Sequence, residues 1–171
     1  MITPENDRND VWLDETKVVP ELISHLLAEG HAVRFSAPGD SMYPTICDGD
    51  IITVAPVKTA PVTTGDIILY RHKSGVAAHR VVRIAKNGRF HSGQVSIRSQ
   101  APDHGPQPCY LLRGDAAVVF DDPVLAAQVL GRVTLVERQG RRIDPYSLKA
   151  TIYFKARRIA VRFKKSIRFQ T

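Results

Sequence analysis

The chain predicts a mainly β fold: a compact body of short strands, with an amphipathic helix in front and a basic helical tail behind. Three observations carry that prediction. Apolar runs rich in β-branched residues recur, as in Ile51-Ile52-Thr53-Val54, Ile67-Ile68-Leu69-Tyr70 and Val129 to Val136. Turn signals built on Gly, Pro, Asn and Asp separate those runs at short intervals. The 171 residues are 43% hydrophobic and 24% charged, the balance of one ordinary globular core.

Each element follows from its residues. Met1 to Asp14 reads as a polar lead-in. From Thr16 to Ala28, Val19, Leu22, Ile23, Leu26 and Leu27 recur at helical spacing, and Gly30 supplies a stop, so a short helix packs on the body. Ala32 to Ser36 forms a first strand leading into the turn-rich segment Gly39 to Asp50. Ile51–Val54 follows as a buried strand, and Pro56 and Pro61 bracket a loop. Gly65-Asp66 turns into the strand Ile67–Tyr70, His72-Lys73-Ser74-Gly75 reads as a hairpin turn, and Val76 to Ile84 returns. Asn87-Gly88 is a turn before short strands at Arg89–His91 and Val95–Arg98, and the prolines of Ser99–Pro108 make an irregular loop. Tyr110–Arg113 is a strand ending at Gly114-Asp115. Val129–Val136 is the last strand, broken at Gly131 and closed by Gln139-Gly140.

The net charge of +7 is concentrated at one end. Tyr146 to Thr171 holds eight bases and no acid, and without those eight the formal charge falls from +7 to −1. The basic balance therefore describes the tail and gives no reason for the body to bind a specific nucleic acid. In the tail, Ile152, Ile159, Phe163 and Ile167 recur four or seven apart among the bases. That pattern suits a helix lying peripherally on an anionic bilayer, and equally a solvated, packed helix or a contact with nucleic acid. The chain opens on acidic residues without the apolar segment of a secretory signal, and no run approaches a membrane span, so a cytoplasmic or membrane-peripheral protein is expected. Cys47 and Cys109 match no metal spacing and read as reduced thiols, with a disulfide between them left open. No cofactor is implied.

Ser41 is the candidate nucleophile, because it sits on a Gly-Asp and Pro-rich turn at the mouth of a strand. A serine hydroxyl needs a base within hydrogen-bond reach before it attacks an amide. Of the six histidines, His79 alone lies inside an apolar strand, between Ala78 and Val81-Val82. Such a histidine is also a common satisfied interior residue. Lys73 is a second possible base, in a polar turn.

The run Ser41-Met42-Tyr43-Pro44-Thr45 followed by Gly49-Asp50 resembles the serine box of type I signal peptidases and their relatives, the self-cleaving phage-type repressors. Gly65-Asp66-Ile67-Ile68 is similar to the second box, and Ala78-His79-Arg80-Val81-Val82 to the base box. Arg113-Gly114-Asp115 is similar to the Gly-Asp box, and Leu130-Gly131-Arg132-Val133 to the closing strand. Bacterial signal peptidases carry lysine where this chain has His79; archaeal, endoplasmic-reticulum and sporulation types carry histidine. The resemblance spans about Ser36 to Val136.

The resemblance implies a serine endopeptidase that works through an acyl-enzyme and matures a peptide or protein precursor. Ser41 would be the nucleophile, His79 the general base, and Asp115, Asp121 or Asp122 the carboxylate that orients the imidazole, with Asp115 favoured. The Ser41 N–H would donate to the oxyanion, while Gly39 stands where some relatives add a hydroxyl. The alternative is an inactive member of the fold that binds an extended peptide. The expected organisation is residues 1–35 as lead-in and helix, 36–140 as the catalytic domain and 141–171 as the tail. A departure is expected from the membrane-bound relatives, because Met1 to Phe35 offers an acidic amphipathic segment where they carry a transmembrane helix, and from the repressors, because that stretch is too short for their DNA-binding domain.

Overall fold

In a computed structural model of the chain, the structure describes residues 15–57, 61–73, 75–85 and 108–147. Helix α1 (Glu15–Glu29) precedes eight strands: β1 (Val33–Ala37), β2 (Asp50–Pro56), β3 (Ile67–His72), β4 (Gly75–Ala85), β5 (Cys109–Arg113), β6 (Val124–Leu125), β7 (Val129–Arg138) and β8 (Arg141–Ile143). Every pairing is antiparallel, in the order β1-β2-β7-β3-β4-β5-β6, with β8 on β7. The fold is mainly β, as its runs of β-branched residues require. The Asn87-Gly88 turn, the short strands at Arg89–His91 and Val95–Arg98, the loop up to Gln107, the polar lead-in and the tail from Leu148 onward lie outside the described residues.

The long apolar run of β3 has a physical cause. Ile67 and Leu69 face one core with Ile23, Leu27, Val33, Met42, Ile46, Ile52, Val54, Val133 and Val136. Ile68 and Tyr70 face a second with Val81, Tyr110, Leu112 and Val124. A strand buried on both faces has no polar side to alternate. Burying these side chains is the main favourable term, at roughly 1.5–3 kcal/mol for each large one. α1 covers the first core through Ile23 and Leu27, which are almost fully buried.

Two expectations are corrected. β7 is not broken at Gly131; it runs continuously from Val129 to Arg138. Gly131 is needed for close approach instead: a Cβ there would run into Val54 Cγ1 and the Ala55 carbonyl and press on Leu27 of α1. β6 and β8 were not anticipated, being two and three residues long, too short for a period to register. Cys47 and Cys109 are free thiols, as expected, the second of them buried, and the disulfide left open between them is not formed.

Candidate active site

Ser41 lies in the loop between β1 and β2, and that loop is tied down at both ends. Gly49 N–H donates to Ala37 C=O at 3.0 Å, and Gly39 N–H to Asp48 Oδ1 at 2.7 Å. Within it, Tyr43 N–H donates to Asp40 C=O and Ile46 N–H to Met42 C=O. The Tyr43–Pro44 peptide is cis. Met42 and Ile46 turn into the core and anchor the loop, while Ser41 stays exposed. Gly39 has a φ of 85°, a backbone region that favours glycine, which accounts for the missing hydroxyl two residues before Ser41.

Two ion pairs, one part-buried and one buried, hold this loop to the sheet. Asp50, at the head of β2, accepts from Arg138 Nη2 at 2.7 Å and from the Cys47 N–H at 2.7 Å, and Arg138 Nη2 also donates to Pro44 C=O at 3.1 Å. Burial pushes the Asp50 carboxyl upward, but the hydrogen bonds from Arg138 and Cys47 outweigh it, and its pKa lies below the ordinary value. On the other side Asp115 accepts a two-pronged bond from Arg80: Nε to Oδ1 at 2.8 Å and Nη2 to Oδ2 at 2.7 Å. Thr45 Oγ1 donates to the same Oδ2 at 2.5 Å, and Arg80 Nη1 reaches Gly65 C=O at 2.8 Å. Arg80 and Asp115 are each under 10% exposed, so this pair welds the serine loop, β4 and the turn before β3 into one unit.

His79 is next to Arg80 on β4 and points to the opposite face, as neighbours in a strand must. Its Nε2 lies 3.0 Å from Ser41 Oγ. Its Nδ1 lies 2.6 Å from Asp121 Oδ2. A carboxylate can only accept, so Nδ1 carries the proton and Nε2 presents its lone pair to the serine hydroxyl.

Asp121 reaches this place because its N–H donates to Leu112 C=O at 3.0 Å, folding the segment after Gly114 back along the end of β5. Asp115, the favoured partner of the imidazole, instead has both oxygens engaged by Arg80 and Thr45, so on geometry the orienting position belongs to Asp121. Asp122 is not joined to His79 by a hydrogen bond among the described residues. It lines a hollow of about 250 Å³ together with Tyr70, His79 and Asp121, and with Arg71 to Lys73.

Two contributors were not singled out from the sequence. Tyr70 O–H donates to the same Asp121 Oδ2 at 3.2 Å, and its oxygen is 3.4 Å from His79 Nδ1. Burial, with the Asp121 charge, pushes the phenol far above its ordinary pKa, which keeps it a donor. The register made Tyr70 findable: Ile68 pairs with His79 and Tyr70 with Ala77, so Tyr70 and His79 are diagonal neighbours on one face. Gly114 is the second. A Cβ there would collide with the Ser41 carbonyl and lie 3.3 Å from His79 Nε2. Its absence lets the Ala116 N–H donate to Ser41 C=O at 2.9 Å, fixing the serine backbone.

Ser41 opens on an apolar cleft of about 400 Å³. Phe35 to Ala37 of β1 form one wall, Val76 to Ala78 of β4 the other, and Met42, Ile52 and Leu69 the floor. Both walls are strand edges: β1 pairs with β2 alone, and Gly75 to His79 with β3 alone, among the described strands. Among the described residues no helix is long and apolar enough to cross a membrane.

No curated protein matches the chain. A family model described as Peptidase S24-like matches residues 6–118, which include Ser41, His79 and Gly114 and stop short of Asp121. With about two thirds of its length matched, and a mainly β fold carrying a serine beside a histidine, this chain belongs to the Peptidase S24-like family.

Proposed function

We propose that the protein is a serine endopeptidase of the histidine-dependent, signal-peptidase-like kind, and that it cuts an extended segment of a peptide or protein precursor. The observation that carries this reading is the unbroken hydrogen-bond chain from Ser41 Oγ through His79 to Asp121 at the mouth of an apolar cleft. A peptide laid in that cleft would bond its backbone to the free edges of β1 and β4 and become a strand between them.

The chemistry then follows. Ser41 Oγ gives its proton to His79 Nε2 as it bonds to the scissile carbonyl carbon, and the carbonyl π electrons move to oxygen. Asp121 stabilises the imidazolium that forms, and the Ser41 N–H donates to the oxyanion. The C–N bond breaks as His79 returns the proton to the leaving amine. Water, deprotonated by the same imidazole, then hydrolyses the acyl-serine. No metal or cofactor enters any step.

The reading is tested by incubating the protein with a peptide digest of a denatured proteome. New peptide ends are expected with the wild type and not with Ser41→Ala. Peptides retained by both proteins with no new ends from either would replace the enzyme with a peptide-binding member of the family.

The basic segment Tyr146–Thr171 supports a separate proposal, peripheral attachment to an anionic bilayer at about 1 kcal/mol per base near the surface. Intact protein is then expected to sediment with anionic vesicles, and a version ending at Asp144 is not. Equal sedimentation of the two would remove it.

A further inference from the structure

The far end of the cleft is closed by α1. Val19, Pro20 and Ile23 line it together with β1 and β4. Ile23 is buried and serves the core, but Val19 is 49% exposed, an apolar side chain facing open space in the cleft. Pro20 sits inside the helix, where a proline removes a backbone hydrogen bond and costs about 3 kcal/mol. Its ring is 3.5 Å from the position a Cβ would take on Gly75, so the proline lies beside the start of β4. Glu21 adds an ion pair to Arg71 at 2.8 Å, across the β3–β4 hairpin. The helix is therefore pinned at this end of the cleft.

Its distance from the chemistry can be read along β4. Gly75 beside Pro20 and His79 beside Ser41 are four positions apart, which at about 3.3 Å per residue is roughly 13 Å. A peptide strand alongside β4 keeps the same rise. A substrate with its scissile bond at Ser41 thus brings a side chain about four residues away against Val19 and Pro20.

We propose that α1 is a specificity wall, and that the protein selects extended peptides with an apolar side chain about four residues from the bond cut at Ser41. The inference rests on the reading of the cleft as a peptide site. It assigns the exposed Val19 to substrate and leaves Leu22, equally exposed at 55% but outside the cleft, without that role.

The test uses the full chain. Ser41→Ala protein, which can hold but not cut, is panned against a random peptide library, alone and with Val19→Glu or Leu22→Glu added. The selected peptides are expected to share an apolar position. Val19→Glu should weaken binding of the best peptide about tenfold, the worth of one buried valine, and Leu22→Glu should not. Wild-type protein should cut those peptides four or five residues from the shared position. A selection unchanged by Val19→Glu, no selected peptides, or cleavage at another spacing would overturn the wall. Labelling of wild-type Ser41 by a fluorophosphonate is run in parallel. No labelling with a Val19-dependent selection removes the peptidase reading and leaves the apolar subsite standing; labelling with a Val19-independent selection does the reverse.

Discussion

Asp121 Oδ2 lies 2.6 Å from His79 Nδ1, on the side of the imidazole away from Ser41. Asp115, six positions earlier, touches the site only through the scaffold, on Arg80 and Thr45. The two carboxylates should separate cleanly. Asp121→Asn keeps the shape but loses the charge that stabilises the imidazolium, so kcat/KM is expected to fall by on the order of 10³–10⁴-fold with stability nearly unchanged. Asp115→Ala takes the carboxylate away from the buried Arg80 charge and is expected to cost about 3–5 kcal/mol of stability. Urea unfolding and peptide cleavage on the two variants check this, and the reverse pattern would exchange their roles.

Gly114→Ala should act on the nucleophile's backbone. The added methyl meets the Ser41 carbonyl and approaches His79 Nε2, so the serine must shift and the Ala116 N–H bond must stretch. A displacement of about 1 Å is worth about 10²-fold in rate. Peptide cleavage by a variant that still melts cooperatively measures it.

Tyr70→Phe keeps the ring in its core and removes only the O–H that holds Asp121. Tyr70 does not line the cleft, so KM should stay and kcat should fall about three- to tenfold, the worth of roughly 1 kcal/mol of hydrogen bond. A change confined to KM would contradict this positioning role.

The Asp50–Arg138 pair predicts a pH dependence of stability. The folded-state pKa of Asp50 is depressed, so its contribution is full above the ordinary carboxyl value of about 4 and is lost as pH falls through the lower folded value. Asp50→Asn should therefore be less stable than wild type at pH 7, and the gap should narrow in acid below about pH 4. Urea titrations at the two pH values give the comparison; a gap that widens in acid would contradict it.

The six longer strands among the described residues, the hairpin and the meeting of Ser41 with His79 were legible because periodicity, turn residues and ordered boxes each leave a mark in the letters. Once His72 and Gly75 flank the hairpin, Tyr70 opposite Ala77 and Ile68 opposite His79 follow by counting. The choice between Asp115 and Asp121 was not legible. Both follow β5 closely, and which one faces the imidazole depends on how the segment folds back, through the Asp121 N–H on Leu112 and the capture of Asp115 by Arg80. Gly131 misled for a related reason. A glycine that ends a strand and one that admits a neighbouring chain read alike, and only the nearness of Val54, Ala55 and Leu27 tells them apart.

The central claim is that His79, held by Asp121, makes Ser41 a nucleophile. The second-order rate of fluorophosphonate attachment to Ser41 measures this without any knowledge of the substrate. Rapid labelling of the wild type, none of Ser41→Ala, and rates lowered at least about 10²-fold in His79→Ala and Asp121→Ala are expected. Labelling as fast in His79→Ala as in the wild type, or none in the wild type, would contradict the account.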